Sequence, residues 1–257
     1  DIKKAFDSMD HDMIVSSLFD AHTPATLVHA TIQELSGCSM NLILDGMECQ
    51  NNVLLNSAGK QGATETPHLW NRYLDVAARR AQVRFIAAGL GLHFPGETLE
   101  EDLVLSHMYW ADDFYLLANS EEQMEGMFCI LSDEISKIGL SWKLESLSLI
   151  DNHASHTEKL ATFWNIVFGD IKVDLVPNFV ALGIGVDRRG STEFAFKHRT
   201  RCFWASWSQA KKSFCSRRVP LTLRIRRFYC TLGRSLLFGA GGWNLTENIL
   251  HKLDSIE

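Results

Sequence analysis

Two adjacent carboxylates, Asp112 and Asp113, stand where one apolar run ends and another begins, and no other feature of the chain constrains its fold as tightly. Leu103-Val104-Leu105-Ser106-His107-Met108-Tyr109 before them and Phe114-Tyr115-Leu116-Leu117-Ala118 after them are short runs rich in strand-forming residues. This spacing predicts a β-hairpin with the acids at its tip. Asp is also a common turn residue, so the pair by itself fits an ordinary turn as well as a reactive one.

A second acidic segment, Asp1-Ile2-Lys3-Lys4-Ala5-Phe6-Asp7, is followed by Ser8-Met9-Asp10-His11-Asp12 and by Ile14, Leu18 and Phe19 at helical spacing. Phosphoryl transfer assisted by two Mg²⁺ ions needs carboxylates from separate chain segments around ions about 3.5–4 Å apart. Asp1 with Asp112 and Asp113 would supply such a set.

Between and beyond these segments the pattern alternates helix and strand. Asn41–Asp45 and Cys49–Leu55 straddle Asp45-Gly46, a hairpin signal. Thr66 is expected to cap, and Pro67 to start, a helix with Trp70, Tyr73, Leu74, Ala77 and Ala81 on one face. Gly89–Glu101 reads as loop. Ser120 and Gln123 form a capping box for a helix carrying Met124, Met127, Phe128, Leu131, Ile135 and Ile138 inward and stopped by Gly139. A hairpin backed by helices is an α+β arrangement.

The net charge of −6 hides an asymmetry: residues 1–187 hold 11 Lys and Arg against 27 Asp and Glu, whereas 188–257 hold 14 against 4. The basic part is patterned as helix. Phe203, Trp207, Ala210 and Phe214 form one apolar stripe with Lys211 and Lys212 off it. From Pro220, Leu221, Ile225, Phe228, Leu232 and Leu236 form a second, with Arg224, Arg227 and Arg234 on another face suited to phosphates. Glycines 233, 239, 241 and 242 mark Leu237–Trp243 as a linker, and Thr246 begins a last helix. The six cysteines (38, 49, 129, 202, 215, 230) include no C-x-x-C pair, which argues against a zinc module or a disulfide framework and for reduced thiols in an intracellular protein. Asp151, His153 and His156 lack the period that would put both rings on one helical face and read as solvated loop. No apolar stretch reaches the length of a membrane span.

Taken in order, these segments resemble the reverse transcriptases of non-LTR (LINE-type) retrotransposons. Asp1–Asp7 is similar to the family's D-x-x-x-A-F-D segment, and Trp110-Ala111-Asp112-Asp113 to its YADD, with Trp for the usual Tyr. Lys60–Pro67 resembles R-Q-G-x-x-x-S-P, Gly139–Lys143 resembles G-L-x-x-N, and Ala181–Asp187 resembles the primer-grip segment Y-L-G-V-x-L-D. The resemblance implies a right-hand polymerase fold: a partial palm over residues 1–187 with a primer-grip hairpin near 179–187, a basic helical thumb over 188–240, and the start of a linker and helix over 241–257. It implies Asp1, Asp112 and Asp113 as catalytic metal ligands for two Mg²⁺ ions, replaceable by Mn²⁺. Phe6 would close over the sugar C2′ and exclude ribonucleotides, Gln61 and Gly62 would lie against nucleotide and template, and Lys143 would be the nearest acid for the pyrophosphate. Lys211, Lys212, Arg224, Arg227 and Arg234 would meet the nucleic acid. The implied partners are an RNA template, a DNA primer and deoxynucleotides, with no membrane, in the nucleus and cytoplasm of a eukaryotic host; oligomeric state is left open.

Some positions depart from the family. Ser146 stands where a lysine is usual, Ala58 where Gly is, and Ala181 where Tyr or Phe is. A catalytically decayed, nucleic-acid-binding relic is therefore one alternative. A group II intron maturase is another, and an RNA-directed RNA polymerase a third that Phe6 disfavours. The family's fingers and central palm strand would precede Asp1, so this chain alone is expected not to polymerise, and a free α-amino group at Asp1 would oppose a cation there.

Overall fold

The computed structural model describes residues 1–37, 39–41, 43–44, 47–48, 53–54, 57, 59, 63–96, 103–152, 164–166 and 171–256. They form two compact units, one of Asp1–Leu147 with Ile166–Ile171, the other of Ser148–Asn165 with Lys172–Glu257. Both mix helices with small sheets, mostly antiparallel, an α+β architecture. Among the described residues no helix is long and apolar enough to cross a membrane. The expected site residues Gln61 and Gly62, the Asp45-Gly46 turn, and His153 and His156, expected as solvated loop, lie outside the described residues.

Among the described residues the first unit has four α-helices: α1 (His11–Asp20), α2 (Ala25–Leu35), α3 (Thr66–Ala87) and α4 (Glu121–Lys137). Its strands pair antiparallel: β1 (Ser39–Met40) with β4 (Val53–Leu54), β2 (Ile43–Leu44) with β3 (Met47–Glu48), β5 (Leu92–Phe94) with β6 (Leu103–Leu105), and β7 (His107–Trp110) with β8 (Asp113–Leu116).

Helix α1 starts where Asp10 accepts from the Met13 N–H at 2.9 Å, and it buries Ile14 and Leu18. Phe19, expected inward, is 58% exposed, because one further residue of helix turns it about 100° off the stripe. In α3 the buried face is Trp70, Tyr73, Leu74, Ala77, Ala81 and Phe85. The alanines let α3 lie close against Met127, Leu131 and Ile135 of α4, which belong to the same core. Tyr73 links three elements: its hydroxyl donates to the Ile138 carbonyl and accepts from the Asp10 N–H at 3.4 Å.

Thr66 is not the cap it was expected to be. It is already helical, Glu65 holds the cap position without a side-chain bond, and the Thr66 side chain is buried against Gly59, where any Cβ would overlap the threonine methyl. On α4, Ser120 accepts from the Gln123 N–H at 3.3 Å as predicted, while Gln123 reaches back to the Asn119 N–H, one residue before the cap. The segment read as loop from Gly89 contains strand β5. Gly91, at φ +123°, turns the chain so close to Leu105 that a side chain there would meet its carbonyl, and three strand residues are too few to show alternation.

A charge cluster ties α3 to α4. Arg84 reaches both Asp133 and Glu134, and Lys137 reaches the same two acids at 2.8 Å. Glu134 is only 3% exposed. Burial pushes its carboxyl up, but Lys137 and Arg84 outweigh burial and hold it below the usual carboxylate range. A carboxylate depressed in the folded state contributes stability above its unfolded value and loses it as pH falls through the folded one. Arg84→Met is therefore expected to lower the unfolding free energy by about 1–2 kcal/mol at neutral pH. The difference from the parent should vanish in urea melts under strong acid; a difference independent of pH would assign the loss to packing.

Strands β9 (Ser148–Leu149), β10 (Trp164–Ile166) and β11 (Ile171–Leu175), all in the second unit but for their residues Ile166 and Ile171, form a sheet of order β10-β11-β9, with β11 parallel to β9. Strands β12 (Asn178–Ala181) and β13 (Ile184–Asp187) make a hairpin whose turn residues Leu182 and Gly183 both have positive φ. Then come α5 (Thr192–Phe214), α6 (Leu221–Phe228), a π turn (Tyr229–Gly233), α7 (Arg234–Leu236) and α8 (Glu247–Asp254), the last capped by Thr246. Phe203, Phe214, Leu232 and Leu236 form the core, with Trp207, Ala210 and Phe228 packed on it.

The second stripe differs from expectation. Leu221 and Ile225 are 60% and 47% exposed, and Arg224 takes the inward place, donating from Nη1 to the Phe214 carbonyl at 3.1 Å. The last carbonyls of a helix have no partner within it, so an arginine fork at the end of α5 outcompetes a leucine for that place. Leu237–Trp243, expected as a linker, returns to α5: the Trp243 ring lies edge-on to Phe196, and the Asn244 N–H donates to Thr192 Oγ1 at 2.8 Å.

Candidate active site

The hairpin β7–β8 places the acid pair where the sequence put it. Trp110 faces Asp113 in the ladder, so Ala111 and Asp112 are the two loop residues. Ala111 has φ +53° and is the only loop residue of this hairpin with positive φ. A two-residue hairpin favours such a turn because it matches the strand twist, but glycine is the residue that adopts it without strain. Ala111→Gly is expected to raise the unfolding free energy by about 0.5–1 kcal/mol after allowing for glycine's freer unfolded state. Urea denaturation would show this; no gain would mean that the tip carries no strain.

The inner face of the hairpin is anchored. Tyr109 and Phe114 stack at 5.1 Å, and the Tyr109 hydroxyl donates to Asp75 of α3 at 3.2 Å. The outer face carries Met108 and Trp110, the latter 69% exposed, beside Asp113 and Tyr115. The Tyr115 hydroxyl donates to Asp113 Oδ2 at 3.4 Å.

The first acidic segment is drawn to this tip through the main chain. The Ile2 N–H donates to the Asp112 carbonyl at 3.2 Å, Lys3 N–H to Ser141 at 2.8 Å, and Lys143 N–H to the Asp1 carbonyl at 3.0 Å. Ile2 thereby forms an antiparallel bridge with Trp142. Trp142 is itself fixed: its Nε1–H donates to Ser132 of α4 at 2.8 Å, and its ring packs on Phe128 and Phe114. Asp1 thus lies between the hairpin tip and the Gly139–Lys143 block. Lys143 Nζ stands 3.7 Å from the Asp1 carboxylate.

A cavity of about 940 Å³ opens here, bordered by Asp1, Phe6, Asp112, Ser136, Trp142 and Lys143. Phe6 lies in a 3₁₀ turn (Ala5–Ser8) entered through Lys4 at φ +49°; its ring centroid is 5.4 Å from that of Trp70, and its carbonyl accepts from the Gly59 N–H at 3.0 Å. It both lines the cavity and rests on the core.

Three carboxylates from two segments are hard oxygen donors of the kind that Mg²⁺ takes. Among the described residues, however, no group of three or more His, Cys, Asp or Glu side chains is gathered closely enough to hold a metal ion. The acids are neighbours joined by backbone, with an ammonium beside one of them. The roles of Trp142 and Tyr115 had no motif to announce them; the one hint was an aromatic inside an otherwise small and polar block.

The basic candidates belong to the second unit. Lys211 and Lys212 are exposed in the last turn of α5, and Arg234 is exposed in α7. Arg227 donates to Ser213 Oγ at 2.8 Å, and Arg224 is turned inward rather than outward with it.

A comparison with curated proteins gives no match. The family model for reverse transcriptase (RNA-dependent DNA polymerase) matches residues 1–151.

Proposed function

The chain belongs to the reverse transcriptase family, and on that footing we propose that it is the polymerising part of a non-LTR (LINE-type) retrotransposon enzyme, which copies an RNA template by adding deoxynucleotides to a DNA primer. The observation that carries this reading is the backbone link between Ile2 and Asp112, which brings two acid-bearing segments together at the mouth of a nucleotide-sized cavity. In this reading residues 1–187 are palm, ending in the primer-grip hairpin, residues 188–240 are a thumb, and the enzyme works in the nucleus and cytoplasm.

Asp1, Asp112 and Asp113 would hold Mg²⁺ or Mn²⁺, which when bound supplies activation of the attacking oxygen and charge stabilisation of the leaving one. Lys143, whose Nζ lies 3.7 Å from the Asp1 carboxylate, would be the proton donor to the departing pyrophosphate. Phe6, backed by Trp70, closes the cavity against a 2′-hydroxyl. Gln61 and Gly62 are assigned the contacts to nucleotide and template on the family resemblance alone. Lys211, Lys212, Arg227 and Arg234 meet phosphates, and Arg224 supports them by holding the end of α5.

The test is primer extension on an RNA template with Mg²⁺, run with deoxynucleotides and with ribonucleotides, on this chain and on the chain extended by upstream fingers. Template-directed incorporation of deoxynucleotides alone supports the proposal. Ser146 at the usual lysine position, and a Lys143 already engaged with Asp1, favour the second reading, a decayed relic. Duplex binding by a folded protein without incorporation would select it.

A further inference from the structure

The second unit carries a concavity of its own, about 480 Å³, where α5 meets α6. Phe214, Val219 and Leu223 form its apolar wall, and Arg224, Arg226 and Arg227 its charged one, with Cys230 at the edge. From residue 194 to residue 246 the sequence contains no Asp or Glu and 11 Lys and Arg, so no neighbour along this stretch neutralises the three guanidiniums. Among the described residues none of them forms an ion pair.

Two of the three are held in fixed positions. Arg224 is bound to the Phe214 carbonyl, and Arg227 is bound to Ser213 Oγ with its guanidinium 5.7 Å from the centre of the Phe214 ring. Each fork has five N–H donors, so these bonds orient the group and leave donors over. Arg226 is exposed and has no bonded partner among the described residues. Leu223 next to them is 54% exposed.

Fixed guanidiniums beside an open apolar wall match a phosphate with a flat, weakly polar body attached to it. Duplex nucleic acid offers phosphates but keeps its bases stacked inside, whereas a single strand offers both together. We infer that this concavity is a nucleotide site separate from the carboxylates, taking one phosphodiester and its unstacked base from a single strand. The choice of nucleic acid as ligand rests on the polymerase reading above.

The experiment measures binding of a labelled oligothymidine about ten nucleotides long, within the usual footprint of single-strand sites, against a blunt duplex of equal length over a salt series. Arg226→Gln is expected to weaken single-strand binding about fivefold and to reduce the salt slope by about 0.7, the share of one phosphate. Leu223→Asn, at an exposed position, should weaken single-strand binding and leave the duplex unchanged. Thymidine monophosphate should compete better than inorganic phosphate, and the oligonucleotide should slow maleimide labelling of Cys230 relative to Cys129. Binding within twofold of the parent in both variants, or equal competition by phosphate, overturns the site. All of this is measured without extension and repeated in Asp112→Asn. If the chain binds but its fingers-extended form never extends a primer, the polymerase reading falls and this site stands; if the extended form polymerises yet ignores both substitutions, only the site falls.

Discussion

In the fingers-extended chain, Asp112→Asn is expected to reduce template-directed extension by about a thousandfold if Asp112 holds a metal as proposed, since losing such a carboxylate forfeits several kcal/mol of transition-state stabilisation. The fold should not change. Asn keeps the shape of Asp, and the bond that draws the first segment to the hairpin tip goes to the Asp112 main-chain carbonyl, which the substitution leaves in place. The thermal midpoint should therefore stay within a few degrees of the parent, a check that separates lost chemistry from lost structure. Adding Asp113→Asn should change little further if the acids act as one unit. Extension within tenfold of the parent in the single variant would exclude Asp112 as a metal ligand.

Trp70→Ala is expected to cost about 3–5 kcal/mol of folding stability, the range for an emptied aromatic core position. Trp70 is 0% exposed, packs against Phe6 and Tyr73, and lies in the second turn of α3 on its buried face. Its indole Nε1 is buried without a hydrogen-bond partner among the described residues. An orphaned buried N–H carries a penalty of about 1–3 kcal/mol. Trp70→Phe removes that penalty together with some volume and should come out near neutral. A urea series on the two variants distinguishes packing from polarity. Because Phe6 rests on this ring, Trp70→Ala should also loosen the side chain that borders the cavity; if Phe6 excludes ribonucleotides as proposed, that discrimination should fall along with stability in any active form. A loss below 1 kcal/mol in Trp70→Ala would show that the core closes over the gap.

The acid hairpin and the buried faces of α3, α4 and α5 were legible because each is a local pattern: alternation around a turn, or apolar residues at helical spacing. The pairing of Ile2 with Trp142 was not legible. It is a single bridge between distant segments, and neither residue belongs to a run that announces a strand. Arg224 was misread for a different reason. Periodicity assigns a charged residue to solvent, and only the unpaired carbonyls at the end of α5 explain why this one turns in. Strand β5 was missed because three residues beside Gly91 show no period. The family resemblance named the acids, but it carries no information about Lys143 lying against Asp1 or Tyr115 against Asp113; both are side-chain placements set by tertiary packing.

The bond from Ile2 to Asp112 has an evolutionary corollary. Main-chain groups draw the two segments together, so the scaffold that presents the acids is indifferent to which side chains it presents. A copy of this gene that lost one carboxylate would keep the frame, and a single base change from an asparagine codon to an aspartate codon would restore the acid to its former position. Loss of a carboxylate at the hairpin tip thus leaves a folded protein behind, while loss of Trp70 takes the frame with it.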